Sequence, residues 1–285
     1  MASVLVTGTS KGIGLETALA FARAGNTVYA TMRNPAQAPE LAATAAREKL
    51  PIFQYQMDVD SDRSVRTAIA AVQEHGPIDV LVNNAGIERA GSIEELPFAE
   101  FRAAMETNYF GALRCIQAVV PQMRERRRGW IVNISSVAGR ISQPPLAPYM
   151  ASKWALEALS ESLACEMKMF DVHVAIVEPG IIDTAMSRRI SEKGHPSVYP
   201  QRNRMAGRFA EALESPVPPT LVADKIVDIV ASGTWQLRHP VGPSAVPFLD
   251  WRRGMTDEQW VELHSSDDET YNRLAGLNPM AKSED

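Results

Sequence analysis

Only two of the 285 residues are cysteines, Cys115 and Cys165, and each falls inside a helical pattern far from the other. That spacing suggests neither a disulfide framework nor a thiolate metal site. The five histidines, His75, His173, His195, His239 and His264, form no ligand-spaced pair, so no metal is expected. Positive charge is not in excess. A formal net charge of -5 gives no electrostatic footprint for nucleic acid or an acidic membrane surface. The one dense basic run, Arg124 to Arg128 around Glu125, closes an apolar helical pattern and reads as a solvated helix end. No stretch approaches the roughly 18 apolar residues needed to span a bilayer. Neither a charged leader nor a cleavable apolar segment precedes the strand-like run at Val4, and a soluble, cytoplasmic chain is expected.

What remains has the make-up of an ordinary globular protein, 45% hydrophobic and 22% charged, and is long enough to bury a sizeable core. Val4-Leu5-Val6 runs into Thr7-Gly8-Thr9-Ser10-Lys11-Gly12-Ile13-Gly14, after which Leu15, Ala18, Leu19 and Ala22 repeat at helical spacing. Strand, glycine-rich turn and helix in that order suit a dinucleotide. Glycines let the backbone turn tightly against a pyrophosphate, and the helix N-terminus offers unpaired N–H groups. The second strand, Thr27 to Thr31, ends at Thr31-Met32-Arg33 without an acid. An acid there would take a free ribose 2′-hydroxyl, whereas an arginine takes a 2′-phosphate. Arg33, with Lys11 nearby, therefore points to NADP(H) over NAD(H), the alternative being an arginine that merely opens a surface loop.

Ala38 to Lys49 reads as a surface helix, and Ile52 to Met57 as a third strand leading to Asp58 and Val59. Asp58 either accepts from an adenine amino group or caps the helix opened by Ser61, Asp62 and Ser64. Ile78 to Val82 is a fourth strand, breaking into Asn83-Asn84-Ala85-Gly86, small and amide-bearing residues suited to backbone packed on a ligand. Met105, Tyr109, Ala112, Leu113, Ile116, Val120 and Met123 describe a long helix with one buried face. Asn108 lies within it, and a mid-helix asparagine asks for a reason. Trp130 to Ile134 forms a fifth strand that delivers Ser135-Ser136 to its carboxyl end, where open α/β sheets bind ligands. Val172 to Val177 is a sixth, ending in Glu178-Pro179-Gly180. Strands alternating with helices, without repeat or linker, predict an α/β fold with a doubly wound parallel sheet.

After the Pro144, Pro145 and Pro148 loop comes Tyr149-Met150-Ala151-Ser152-Lys153, at the start of a helix with its apolar stripe at Leu156, Leu159, Leu163 and Met167. A phenol and an ammonium four residues apart share one helix face. Free tyrosine, with a pKa of about 10, moves protons poorly at neutral pH, and a nearby cation favours the phenolate. Lys153 is thus placed to tune Tyr149 as an acid or base, set against the plain reading of a half-buried tyrosine beside a solvated lysine.

Together these residues resemble the short-chain dehydrogenase/reductase family over about residues 3 to 184. The likeness rests on Thr7-Gly8-x-x-x-Gly12-Ile13-Gly14, Asn83-Asn84-Ala85-Gly86, Asn108, Ser136, Tyr149-x-x-x-Lys153, and Pro179-Gly180 followed by Thr184. The thirteen-residue interval from Ser136 to Tyr149 matches the family and selects Ser136 over Ser135. Val28 to Arg33 resembles the members acting on steroids and retinoids. The resemblance implies a single-domain Rossmann fold with a seven-stranded parallel sheet and assembly as a homodimer or homotetramer. It also implies that Tyr149 exchanges a proton with the substrate oxygen and that Lys153 holds the ribose and depresses the Tyr149 pKa. Ser136 would orient the substrate, and Asn108 would position a water linking Lys153 to bulk. Gly8, Gly12, Ile13 and Gly14 would cradle the pyrophosphate, and Ser10, Lys11 and Arg33 would read the adenosine end. Asp58 and Val59 would meet the adenine, Asn84, Ala85 and Gly86 the ribose and neighbouring backbone, and Pro179, Gly180, Ile182 and Thr184 the carboxamide region.

The family does not settle the remainder. Residues 185–219 are polar and irregular, with Arg188, Arg189, Gly194, Pro196, Pro200 and Gly207, and are expected as a mobile substrate lid or a surface excursion. Thr220 to Ala231 reads as a helix and Trp235 to Val241 as the seventh strand, completing a dinucleotide-binding and catalytic domain over 1–245. A helical extension over 246–285 packs on it. There Thr256-Asp257-Glu258-Gln259 is a capping-box signature, and the last residues, Ala281 to Asp285, are expected to fray. Phe248, Leu249 and Trp251 are too apolar for water and cover either the pocket mouth or a subunit contact. The expected activity is NADP(H)-dependent interconversion of an alcohol and its ketone or aldehyde on an apolar, steroid-, retinoid- or terpenoid-like small molecule. Two other readings stand beside it. One is a 3-oxoacyl thioester reductase, using Arg188 and Arg189 as a cationic patch; the other is a non-catalytic NADP-sensing protein of the same fold.

Overall fold

Val4, Leu5 and Val6 have no solvent exposure at all, as strands covered by helices on both faces require. They form the middle of β1 (Ser3–Thr7) in the computed structural model, which describes residues 1–192 and 196–275. Gly194 and His195 of the expected lid, and the expected frayed end at Ala281 to Asp285, lie outside the described residues. Beside β1 lie β2 (Thr27–Met32), β3 (Ile52–Gln56), β4 (Val80–Asn83), β5 (Gly129–Ile134), β6 (Val172–Pro179) and β7 (Arg238–Val241). Every pairing is parallel, and the strand order is β3-β2-β1-β4-β5-β6-β7. The order reverses between β1 and β4, which opens a crevice at the carboxyl ends of those strands. This is the seven-stranded Rossmann-type sheet that the sequence predicts.

The helices are α1 (Gly12–Arg23), α2 (Pro39–Glu48), α3 (Asp62–Gln73), α4 (Phe98–Met105), α5 (Gly111–Arg126), α6 (Ala147–Lys168), α7 (Ala185–Ile190), α8 (Gln201–Ala212), α9 (Thr220–Ser232), α10 (Ala245–Arg253), α11 (Asp257–Ser265) and α12 (Asp268–Ala275). The two-residue period of β1 divides the core. Val4 and Val6 point to one layer with Leu15 and Leu19 of α1 and Ile226 of α9, and Leu5 points to the other with Val65 and Ile69 of α3 and Ile116 of α5. Each fully buried side chain of this size contributes about 1.5–3 kcal/mol. A polar bridge crosses the second layer. Asn83 Nδ2 donates to Asn133 Oδ1, and Asn133 Nδ2 donates to Ser160 Oγ, both at 2.8 Å, fixing β4, β5 and α6 to one another.

Several boundaries depart from the expectation. The long helix around Asn108 is three pieces: α4, a π-helical turn over Glu106–Phe110, and α5. The extra residue in that turn lets Asn108 face inward, 1% exposed, without disturbing the apolar stripe of α5. Trp235 to Leu237 stay outside β7 because Trp235 stacks on His173, with ring centroids 3.7 Å apart. The segment read as irregular over 185–219 holds α7 and α8. Thr184 and Ser187 close a capping box that starts α7.

The C-terminal extension is three short helices with a small core of their own. Leu249, Trp251, Trp260, Leu263 and Tyr271 pack around Ile141, and Trp251 meets Trp260 edge-on at 5.0 Å. Thr256 and Gln259 form the expected capping box. The aromatic residues are thus buried within the chain itself, and Phe248 lines the principal cavity.

Candidate active site

Four segments converge at the crevice, and each is shaped locally before it meets the others. In the turn after β1, Gly8 and Gly12 sit at φ of +71° and +61°, the left-handed region that side chains resist. A Cβ at Gly8 would stand 2.8 Å from Ala85 Cα, so only glycine lets the two backbones close up. The cap residue of α1, Lys11, accepts no hydrogen bond from the helix with its side chain, which leaves the first amides of the helix open toward the crevice. These features fit the pyrophosphate of a dinucleotide.

Gly14 and Asn84 play different parts from those expected. Gly14 does not line the crevice. A Cβ there would stand 2.4 Å from the Gly8 carbonyl oxygen, so its role is to let α1 pack under the turn. Asn84 Nδ2 donates to the carbonyls of Thr7 at 2.8 Å and Gly8 at 3.1 Å, and its own backbone N–H and that of Ala85 donate to Thr7 Oγ1. Its side chain therefore holds the glycine turn, and backbone rather than amide is what it shows a ligand.

Lys11, in the glycine turn, and Arg33, just past β2, are both exposed and line the crevice. Asp58 is not the helix cap. Ser61 caps α3 by accepting from Ser64 N, while Asp58 accepts from Asp60 N at 3.2 Å and lines the crevice with Val59. Asp60, an acid the sequence reading left aside, lies near enough to Arg33 to feel its charge and accepts from Thr107 Oγ1.

At the other end, β5 delivers Ser136 and α6 delivers Tyr149 and Lys153. The Tyr149 hydroxyl is within hydrogen-bonding reach of the Ser136 side chain. Ser136 Oγ accepts from Ala138 N at 3.1 Å and donates to the Pro179 carbonyl at 3.3 Å. Lys153 Nζ lies 5.6 Å from the centre of the Tyr149 ring and donates to the Ile134 carbonyl at 2.8 Å.

The pKa of Tyr149 departs from expectation. Burial pushes it up to about 12, against the pull of the Ser136 hydrogen bond and with a further push from Glu88. Burial also pushes Lys153 down to about 8, opposed by Glu157. Desolvation thus outweighs the expected effect of the ammonium on the phenol in the chain by itself. At neutral pH the site holds a neutral phenol beside a protonated lysine, a proton donor in its loaded form.

Asn108 does not line the cavity, and its side chain makes three hydrogen bonds. Oδ1 accepts from Ile87 N at 2.8 Å, while Nδ2 donates to Ile87 O at 2.9 Å and to Ser152 Oγ at 2.8 Å. Ser152 Oγ in turn donates to the Tyr149 carbonyl at 2.6 Å. Asn108 therefore clamps the β4 loop to α6 near Tyr149.

All remaining sequence-predicted residues line one cavity of about 610 Å³: Gly8, Ser10, Lys11, Gly12, Ile13, Arg33, Asp58, Val59, Asn84, Ala85, Gly86, Ser136, Tyr149, Lys153, Pro179, Gly180, Ile182 and Thr184. Beyond Tyr149 the wall turns largely apolar, with Ile141, Leu146, Met150, Met186, Met205, Phe209 and Phe248. Polar residues not singled out in the sequence also line the cavity. Glu88 is 6% exposed and pairs with Arg189 of α7 at 2.9 Å, while Gln143 and Arg208 also face the cavity wall. The position of Glu88, two residues past the Asn83-Asn84-Ala85-Gly86 run, was the one available signal. Neither Gln143 nor Arg208 had any. Arg188 and Arg189 are both paired, with Asp183 and Glu88 respectively. Among the described residues no cluster could hold a metal ion, and no helix is long and apolar enough to cross a membrane.

A glycine-cradled crevice at the switch point, closed by a serine, a tyrosine and a lysine one turn on, defines a nucleotide-dependent oxidoreductase of the short-chain type. Comparison with known proteins agrees. The short chain dehydrogenase family matches residues 2–195, and the chain belongs to that family. It is 40% identical to retinol dehydrogenase 8 of Homo sapiens over 252 residues, covering 83% of this chain and 80% of that one. It is 35% identical to the 3-ketodihydrosphingosine reductase of Bacteroides thetaiotaomicron, covering 84% and 87%. A short-chain dehydrogenase structure from Streptomyces avermitilis superposes with a TM-score of 0.77 at 32% identity, covering 100% of this chain and 98% of that one.

Proposed function

We propose that this oxidoreductase uses NADP(H) to interconvert an alcohol and its ketone or aldehyde on an apolar small molecule. The observation that carries the reading is the Tyr149 hydroxyl beside Ser136, at the point where the crevice of the glycine turn opens into the apolar part of the cavity. The preference for NADP(H) is supported by Arg33 and Lys11 at the adenosine end and by the absence of an acid at the end of β2.

Gly8, Gly12 and Ile13 would hold the pyrophosphate, Arg33 and Lys11 a 2′-phosphate, Asp58 and Val59 the adenine, and Ile182 and Thr184 the carboxamide. Bound there, the dinucleotide supplies or takes the hydride. In reduction, Tyr149 gives its hydroxyl proton to the substrate oxygen as that oxygen becomes the alcohol; in oxidation it takes the proton back. Ser136, releasing its hydrogen from the Pro179 carbonyl, would offer a second donor to the same oxygen and stabilise the charge that develops on it. Lys153 would keep a positive charge one turn away and, held at the Ile134 carbonyl, would take the ribose hydroxyls. Asn108 and Ser152 hold the first turn of α6 in position. Met205, Phe209 and Phe248 exclude water from the substrate side, which fits a retinoid- or steroid-sized apolar body, in keeping with the likeness to a retinol dehydrogenase.

The thioester reading is weaker. Its cationic patch would draw on Arg188 and Arg189, whose charges are already matched by Asp183 and Glu88. A non-catalytic sensor would have no use for Ser136 and Tyr149 set together. The test is a panel of apolar ketones, aldehydes and alcohols assayed with NADPH, NADH and their oxidised forms. Turnover with NADPH is expected; a protein that binds the dinucleotide but turns over nothing on the panel would favour the sensor.

A further inference from the structure

Helix α11 grips the loop leading into Tyr149 at two successive residues. Trp260 Nε1 donates to the Ser142 carbonyl at 2.7 Å, and His264 Nε2 lies 2.9 Å from the side-chain oxygen of Gln143, Oε1. His264 Nδ1 lies 2.9 Å from the Trp260 carbonyl oxygen. A carbonyl oxygen only accepts, so Nδ1 carries the hydrogen. Nε2 could then donate as well only in an imidazolium. That form is disfavoured, because burial pushes the His264 pKa down to about 4 and the guanidiniums of Arg208, Arg204 and Arg252 push the same way. The ring is enclosed by Trp251, Trp260 and Tyr271.

Neutral His264 therefore presents a bare lone pair at Nε2, which needs a donor. Gln143 has one in its NH2 group, related to its carbonyl oxygen by a half-turn of the amide. With the NH2 on His264, the oxygen takes the opposite side. Gln143 is buried at 8% exposure, lines the cavity, and makes no other side-chain hydrogen bond among the described residues. Its backbone N–H donates to Met150 Sδ at 3.0 Å, which ties it to the residue next to Tyr149.

We propose that Gln143 is a specificity-determining residue, with a side-chain carbonyl oxygen that His264 turns toward the cavity to accept a hydrogen bond from a hydroxyl near the reacting carbonyl of the substrate. The proposal rests on the oxidoreductase reading and narrows its substrate class to hydroxyketones or, in the other direction, diols. Gln143 reads the hydroxyl directly. His264 is a positioning residue, brought to the pocket by the C-terminal helices.

Two measurements test it. Long-range proton–nitrogen correlation spectra of the full chain, with His264 assigned through His264→Phe, should show Nδ1–H and a bare Nε2 at neutral pH. An Nε2–H tautomer overturns the proposed orientation. Kinetics with NADPH should then compare decan-2-one with 3-hydroxydecan-2-one and 4-hydroxydecan-2-one. The native enzyme should prefer one hydroxyketone by about tenfold or more in kcat/KM, because a site built to bond a hydroxyl rejects the analogue lacking it. Gln143→Leu should reduce that ratio to about one, and His264→Phe should lower it part of the way. A native enzyme without the preference, or a Leu variant that keeps it, overturns the proposal. Failure of the oxidoreductase reading would look different, as no NADPH oxidation with any ketone, and the tautomer measurement needs no turnover.

Discussion

Lys153 directs its ammonium to the Ile134 carbonyl, 2.8 Å away, and stands 5.6 Å from the centre of the Tyr149 ring. The lysine is anchored to the end of β5, so its charge is fixed relative to the strand that carries Ser136. Burial lowers its pKa to about 8, and that sets a limit on the pH range of the site. Lys153 is charged below that value and neutral above it. Under the proposed mechanism kcat/KM for carbonyl reduction therefore falls as pH rises through about 8, and Lys153→Arg moves the fall upward in whatever activity remains. A profile of initial rates between pH 6 and pH 10 checks this; a flat profile would detach Lys153 from the reaction.

Removing the Tyr149 hydroxyl takes away the proton donor and leaves the lysine in place. Tyr149→Phe should cut kcat by about 10²–10⁴-fold, the range of general acid catalysis, while fluorescence titration shows NADPH binding within a few-fold of the parent. Turnover close to that of the parent would mean that another group gives the proton.

The adenosine end is tested by charge. Arg33→Ala removes the guanidinium from the crevice and should weaken NADPH by about 10- to 100-fold, the worth of one or two charge-assisted hydrogen bonds, with little change for NADH. Equal losses for both dinucleotides would withdraw the 2′-phosphate assignment.

Gly14 packs against the Gly8 carbonyl and stays outside the crevice. Gly14→Ala should therefore lower stability by about 1–3 kcal/mol through overpacking, read as a fall in Tm, and should weaken dinucleotide binding only through displacement of the turn. An unchanged Tm would show that α1 shifts freely under the turn.

Glu88 and Arg189 tie the loop after β4 to α7, next to Tyr149. Arg189→Ala should loosen α7 and raise KM for the carbonyl several-fold, with NADPH affinity little changed. Unchanged KM would separate α7 from substrate binding.

The parts of the site that were legible in the sequence are those built from near neighbours. Gly8 to Gly14 and Tyr149 to Lys153 each lie within one turn or two, so composition and spacing reveal them. Apolar runs such as Val4-Leu5-Val6, with helical stripes between strands, were enough for the sheet. The roles of Asn84 and Asn108 were not legible, because their partners Thr7, Gly8, Ile87 and Ser152 lie far along the chain. The rise in the Tyr149 pKa was not legible for a related reason: the lysine is visible in the sequence, but the burial that raises the pKa is a property of the closed pocket. Helix α8 escaped notice because Gly207 and three arginines interrupt its apolar pattern, although Met205 and Phe209 fall one turn apart.

Helices α10 and α11 follow all seven strands in the chain, yet Phe248 and the partners of Ser142 and Gln143 come from them. During synthesis the cradle for the dinucleotide is complete in sequence once Thr184 has emerged, before α10 and α11 are made. The chamber for the second reactant has to wait for the last helices to dock. A chain clipped just after β7 would keep the residues of the dinucleotide cradle and lose the wall that would shape a reactant against them.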